Sequence, residues 1–145
     1  MKVSNEIINI CPEIKKWRHE LHAHPELGYE EEWTSNFVAE KLESFGLEIH
    51  RGMAKTGVVG VLKGACASLG GGGNKAIGLR ADMDALPMAE ENDFSHKSKF
   101  DGRMHACGHD GHIAMLLGAA KLLSSKKDFD GTVYFIFQPA EEGGG

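Results

Sequence analysis

No apolar run in this sequence approaches the roughly 18 residues of a membrane-crossing helix, which excludes a helical transmembrane segment. A basic tract is missing too. With 16 Lys+Arg against 21 Asp+Glu and a formal charge of −5, the 145-residue chain is a poor candidate for non-specific nucleic-acid binding. The N-terminus, MKVSNEIINICPE, lacks the apolar block and small-residue cleavage site of a signal peptide. Cysteine is scarce. Cys11, Cys66 and Cys107 have no C-x-x-C spacing and form no disulfide framework, so the expected compartment is a reducing cytoplasm. There is no internal repeat. What is present, 41% apolar and 26% charged residues, is the composition of a packed domain rather than a disordered one. The 19 glycines are well above the usual share, and the sequence ends in EEGGG.

Periodicity divides the chain into helices and strands. Pro12 suits the first position of a helix with Glu13 at its positive end; Ile14, Trp17 and Leu21 follow at helical spacing and Pro25 stops it. A second helix is expected over 30–45. Its buried stripe would be Trp33, Phe37, Val38, Ala39, Leu42 and Phe45, with Gly46 as the C-terminal cap. Short strands are expected over 47–50, 57–63 and 76–81. The glycine-rich stretch 64–75 reads as a hairpin loop, because no Lys-Ser/Thr pair or helix follows to make it a phosphate cradle. Residues 83–106 have no strong period, and loops of that length tend to be functional. A helix over 110–124 and an apolar strand over 131–137 complete the pattern. The strand's near-continuous apolar run suits a central position covered on both faces. Strand, helix, strand with helices before it indicates an α/β fold.

The chemistry concentrates in four places. In HACGHDGH, 105–112, three His, one Cys and one Asp fall within eight residues. Thiolate and imidazole both ligate borderline-soft divalent metals, and Gly108 permits the sharp turn that aims Cys107 and His109 at one point. A helix start there would lower the thiol pKa. His112 would share a helix face with His109. These side chains could instead be surface, capping and inert core groups, but their density favours a metal. The pair Glu141-Glu142 leaves the end of the apolar strand, where open α/β sheets bind ligands. One carboxylate there can hold metal while its neighbour takes a proton from water. Asp82 and Asp84 leave another strand end, as ligands, as orienters of a ligating His, or as turn caps before Pro87. His22 and His24 lie at a helix end. There, capping of the terminal carbonyls is favoured over metal binding.

The motifs LHAHPELGYEE, GLRADMDALP, MHACGHDGHIAMLLGAA and FQPAEEGGG, in this order, resemble the amidohydrolase branch of the M20 metallopeptidase family over positions 21–145. That branch includes hippurate hydrolases, N-acyl-amino-acid amidohydrolases and auxin-conjugate hydrolases. The resemblance implies an αβα sandwich of the zinc-dependent exopeptidase type, interrupted by a lid domain through which the longer protein could form homo-oligomers. It implies one or two divalent metals (zinc, manganese, cobalt or nickel) with Cys107, His109 and Glu142 as ligands. Glu141 then resembles the general base and Asp84 the residue that orients the site. Arg80-x-Asp82 stands where other branches carry a metal-binding His. The implied substrate is a small N-acyl amino acid, cleaved to a carboxylic acid and an amino acid, with no nucleic-acid or membrane partner. Further His ligands of the family lie downstream of the EE motif, so residues 1–145 are expected to be the N-terminal part of a protein two to three times longer. Alone, they would bind metal weakly and associate through an uncovered strand edge. Thiol chemistry at Cys107 is the remaining alternative.

Overall fold

The computed structural model describes residues 3–65 and 75–144. Cys66 and Gly70 to Gly73, read above as part of a hairpin loop, lie outside them. Helix α1 spans Asn5–His22, α2 Glu32–Ser44 and α3 His109–Lys126; strands β1 to β4 span Glu48–Met53, Gly57–Lys63, Ala76–Asp82 and Thr132–Gln138. The sheet order is β1-β2-β4-β3, antiparallel at its first two pairings and parallel between β4 and β3.

Helix α1 begins well before Pro12, contrary to the sequence expectation. Ser4 caps it, its hydroxyl accepting the Ile7 N–H at 3.4 Å, and Glu6 lies in the first turn. Pro12 sits inside the helix. Its ring leaves the Ile8 carbonyl without an intrahelical donor. Ile8 and Pro12 are on an exposed stretch where water can take that place. Helix α2 follows the expected stripe: Phe37, Val38, Ala39 and Leu42 are buried and Trp33 and Phe45 pack at the margin. Its start is held from a distance. Both Glu26 carboxylate oxygens accept N–H groups, of Trp33 at 3.0 Å and Thr34 at 2.8 Å.

All three helices pack on one face of the sheet. Trp17, Leu21, Val38, Leu42, Ile113, Leu117 and Ala120 meet Val58, Leu62, Val133, Phe135 and Phe137 in one core. Helices α1 and α3 approach closely at Gly118, where a Cβ would lie 2.5 Å from the Ile14 Cδ1 atom. Strand β4 is central, as expected, but only its Val133, Phe135 and Phe137 face is covered. Tyr134 and Ile136 on the opposite face are 39% and 37% exposed. Among the described residues no helix lies on that side, so two layers of the expected αβα sandwich are present. None of the helices is long and apolar enough to cross a membrane.

The parallel pair places the site. Strands β3 and β4 end together, with Asp82 in register with Gln138. The chain leaving β3 carries Asp84 and the chain leaving β4 carries Glu141 and Glu142 in a single 3-10 turn, Glu141–Gly143. The N-terminus of α3, with Cys107 just ahead of it, reaches the same sheet end.

Candidate metal centre

His109, 2% exposed, is the hub of the site. Its Nδ1 lies 2.9 Å from the Asp84 backbone carbonyl and 3.3 Å from the Asp84 Oδ1 atom. A carbonyl only accepts, so Nδ1 carries a proton, and in the neutral ring Nε2 is the nitrogen with the lone pair. Around that Nε2 stand Asp82 Oδ2 at 3.7 Å, Glu141 Oε2 at 3.8 Å and Glu142 Oε1 at 3.9 Å. Cys107, His109 and Glu142 each place a ligand atom within 4.8 Å of the other two. Asp82, His109 and His112 form a second such trio, with His112 Nδ1 3.5 Å from Asp82 Oδ2.

Local backbone geometry explains the convergence. Gly108 caps α3 with φ +88°, the left-handed conformation that lets Cys107 and His109 point to one place. Ala140 takes φ +54° immediately before Glu141. That unusual conformation is held by Glu31, which is fully buried; its Oε1 accepts the Ala140 N–H at 2.8 Å and its Oε2 the Thr56 hydroxyl at 2.7 Å. Asp84 Oδ2 accepts the Glu142 N–H at 2.9 Å. Arg80 bridges the two strand ends, pairing with Asp82 and donating from Nε to Gln138 Oε1 at 2.6 Å.

The residues expected at the site are therefore together: Cys107, His109, Glu142, Glu141 and Asp84, with Asp82 and His112 beside them. Two expectations fail. The Cys107 pKa is raised rather than lowered. Its thiol is hydrogen-bonded to Glu142 and ringed by Glu141 and Asp82, and these carboxylates hold it above the ordinary value. His24 does cap a terminal carbonyl, that of Glu20 at 2.8 Å, but His22 does not. His22 Nδ1 lies 2.8 Å from Asp110 Oδ2 and its Nε2 3.0 Å from Glu90 Oε1. The Asp110 hydrogen bond raises the His22 pKa against the opposing effect of burial, and Glu90 adds to the rise. This buried contact ties the end of α1 to the start of α3, next to His109. His105 is packed nearby at 3% exposure, where burial pushes its pKa down to about 4.

Sequence reasoning missed Glu31 and the pairing of His22 with Asp110. Glu31 reaches partners 25 and 109 residues away, a relationship no local spacing reveals.

The donor set fits a divalent cation. It joins a thiol, an imidazole nitrogen with a free lone pair and carboxylate oxygens. Three carboxylates crowd one side of His109, an arrangement that a cation relieves. The orienting contact of Nδ1 is the one that metal-binding histidines usually make.

Comparison with known proteins agrees. The pattern of peptidase family M20/M25/M40 matches residues 78–145. The chain is 50% identical over 143 residues to the hippurate hydrolase of Campylobacter jejuni, covering 99% of this chain and 36% of that protein. It is 50% identical over 143 residues to the N-acyl-L-amino acid amidohydrolase of Geobacillus stearothermophilus, covering 94% of this chain and 37% of that protein. Among solved structures, a dinuclear metal-binding peptidase of the M20 family from Bacillus subtilis superposes with a TM-score of 0.82 at 42% identity, over 90% of this chain and 35% of that one. The chain thus spans about a third of the length of the curated relatives it matches. Its motifs, its sheet-end cluster and these likenesses together place the chain in the M20 peptidase family.

Proposed function

We propose that this chain provides the metal-binding and proton-transfer part of a metal-dependent amidohydrolase acting on N-acyl amino acids. The observation that carries this reading is the Cys107, His109 and Glu142 trio with Glu141 3.8 Å from the same imidazole. The similarity to enzymes named for hippurate and N-acyl-L-amino acids supports the substrate class. Zinc, manganese, cobalt and nickel are all compatible with a thiolate, imidazole and carboxylate set.

Cys107, His109 and Glu142 would hold the ion, and Asp82 with His112 would offer further donors at the second trio. A divalent ion there supplies Lewis acidity, polarising the scissile carbonyl and making a nearby water easier to deprotonate. The residues do the rest. Glu141, with a side chain 40% exposed, is accessible to solvent and substrate. It accepts the proton of the attacking water and returns it to the leaving amide nitrogen, so the products are a carboxylic acid and an amino acid. Asp84 acts through others. Its carbonyl fixes the His109 tautomer, and its carboxylate holds the Glu142 backbone.

Thiol catalysis at Cys107 is disfavoured, because the surrounding carboxylates keep the thiol protonated in the absence of a cation. Amine release from hippurate in the presence of divalent metal, compared between wild type and Glu141→Gln, tests the proposal. Loss of turnover with metal binding retained supports it. Undiminished turnover in Glu141→Gln removes Glu141 from the mechanism, and metal binding without hydrolysis in wild type reduces the chain to a binding module.

A further inference from the structure

We propose that the cleft beside Asp84 and Glu142, lined by Leu27, Tyr29, Leu86 and Pro87, receives the uncharged acyl arm of the substrate. This rests on the amidohydrolase reading and deepens it by assigning an orientation. The cleft has a volume of about 370 Å³ and is bounded by Gly28, Ala85, Ala140 and Gly143 as well. Small-ligand sites commonly start at about this size and combine apolar walls with a few polar groups.

Continuity comes first. Asp84 and Glu142 belong both to the cleft and to the cluster around His109. A group bonded to a carbonyl placed at that cluster can therefore extend directly into it.

The walls are preformed. Ala85 donates to the Glu26 carbonyl at 2.8 Å, and Leu86 exchanges two backbone hydrogen bonds with Met104, each 3.0 Å. The facing turn is held by Glu31 through Ala140 and by Asp84 through Glu142. Gly28 rests against that turn, where a Cβ would stand 3.1 Å from both Cα and Cβ of Ala140.

Tyr29 supplies an independent sign. Its backbone has φ +64°, which is costly for an aromatic residue, yet the side chain is 43% exposed and gains little burial in return. Tyr29 is at the same time one of the residues lining the cleft.

Charge decides which arm enters. Among the described residues, the ionisable groups lining the cleft are the carboxylates of Asp84 and Glu142 and the Tyr29 phenol, with no Lys, Arg or His. The carboxylate arm of an N-acyl amino acid is repelled there, whereas an aromatic or aliphatic acyl group meets Leu27, Leu86 and Pro87. Arg80 and His112 contact Asp82 instead and are not among the residues lining the cleft.

The experiment uses zinc-loaded chain in a Glu141→Gln background, so that ligands stay intact, and records nuclear Overhauser contacts and affinities by NMR. N-(4-fluorobenzoyl)glycine is compared with N-acetylglycine, and Tyr29→Gly with its parent; glycine suits the backbone at 29, so folding is retained. Contacts from the fluorobenzoyl ring to the Leu27 and Leu86 methyls are expected. So is roughly tenfold weaker binding of the aryl ligand in Tyr29→Gly, the scale of losing one aromatic anchor, with N-acetylglycine changed less than about twofold. Contacts from the glycine methylene instead of the ring, equal weakening of both ligands, or no aryl contact while zinc is bound overturns the assignment alone. Failure to bind zinc overturns the assignment and the amidohydrolase reading together.

Discussion

The backbone carbonyl of Asp84 stands 2.9 Å from Nδ1 of His109, while the carboxylate of the same Asp84 accepts the Glu142 N–H at 2.9 Å. One residue thus orients two candidate ligands, one at the start of α3 and one in the turn that follows β4. Asp84→Asn keeps the shape but removes the charge beside His109. Metal affinity is expected to fall about 10- to 100-fold, the usual cost of losing such an outer contact, with little loss of stability. Zinc titration calorimetry on the two proteins measures this; an unchanged Kd would show that Asp84 does not support the site.

Glu31→Ala orphans the Ala140 N–H and the Thr56 hydroxyl, both held by this buried carboxylate. Each unsatisfied group costs about 1–3 kcal/mol. Urea unfolding should reveal that loss, and Glu31→Gln should recover part of it, since its amide oxygen can still accept one of the two. A stability equal to wild type in Glu31→Ala would contradict the assigned contacts.

The His22 link gives a pH signature. Its folded pKa lies above the ordinary 6.5, so protonated His22 stabilises the folded chain. That contribution is complete below about 6.5, provided Asp110 and Glu90 remain ionised, and it is lost as pH rises through the raised folded value. The stability advantage of wild type over His22→Gln should therefore be larger at pH 6 than at pH 9. Urea midpoints at the two values test this, and an advantage that grows with pH would refute it.

The uncovered sheet face predicts association. Tyr134 and Ile136 are exposed beside Val59 and Val61, their partners in register on β2. Light scattering should show concentration-dependent self-association of the chain, reduced by Ile136→Lys. A monomer at all concentrations would contradict it.

Much of this was legible in the sequence for a simple reason. The spacing of Cys107, Gly108 and His109 is local, and local spacing survives folding. Strand β2 was readable over its full length, Gly57–Lys63, because β-branched residues and glycines mark it. Other features depend on distant contacts. Pro12 looks like a helix start, yet Ser4 and the exposed setting of the first turns carry α1 through it. The apolar run of β4 suggested two covered faces, but periodicity alone does not show where helices pack. The Cys107 thiol looked activated by α3, whereas its hydrogen bond to Glu142 and the carboxylates at the end of β3 and after β4 raise its pKa.

The central claim is that Cys107, His109 and Glu142 hold one divalent ion together. Titration with cobalt(II), followed by absorption, tests it most directly. A thiolate-to-cobalt charge-transfer band should appear in wild type, vanish in Cys107→Ser, and require much higher cobalt in His109→Ala and Glu142→Gln. No such band in wild type, or a band indifferent to the His109 and Glu142 substitutions, would contradict the account.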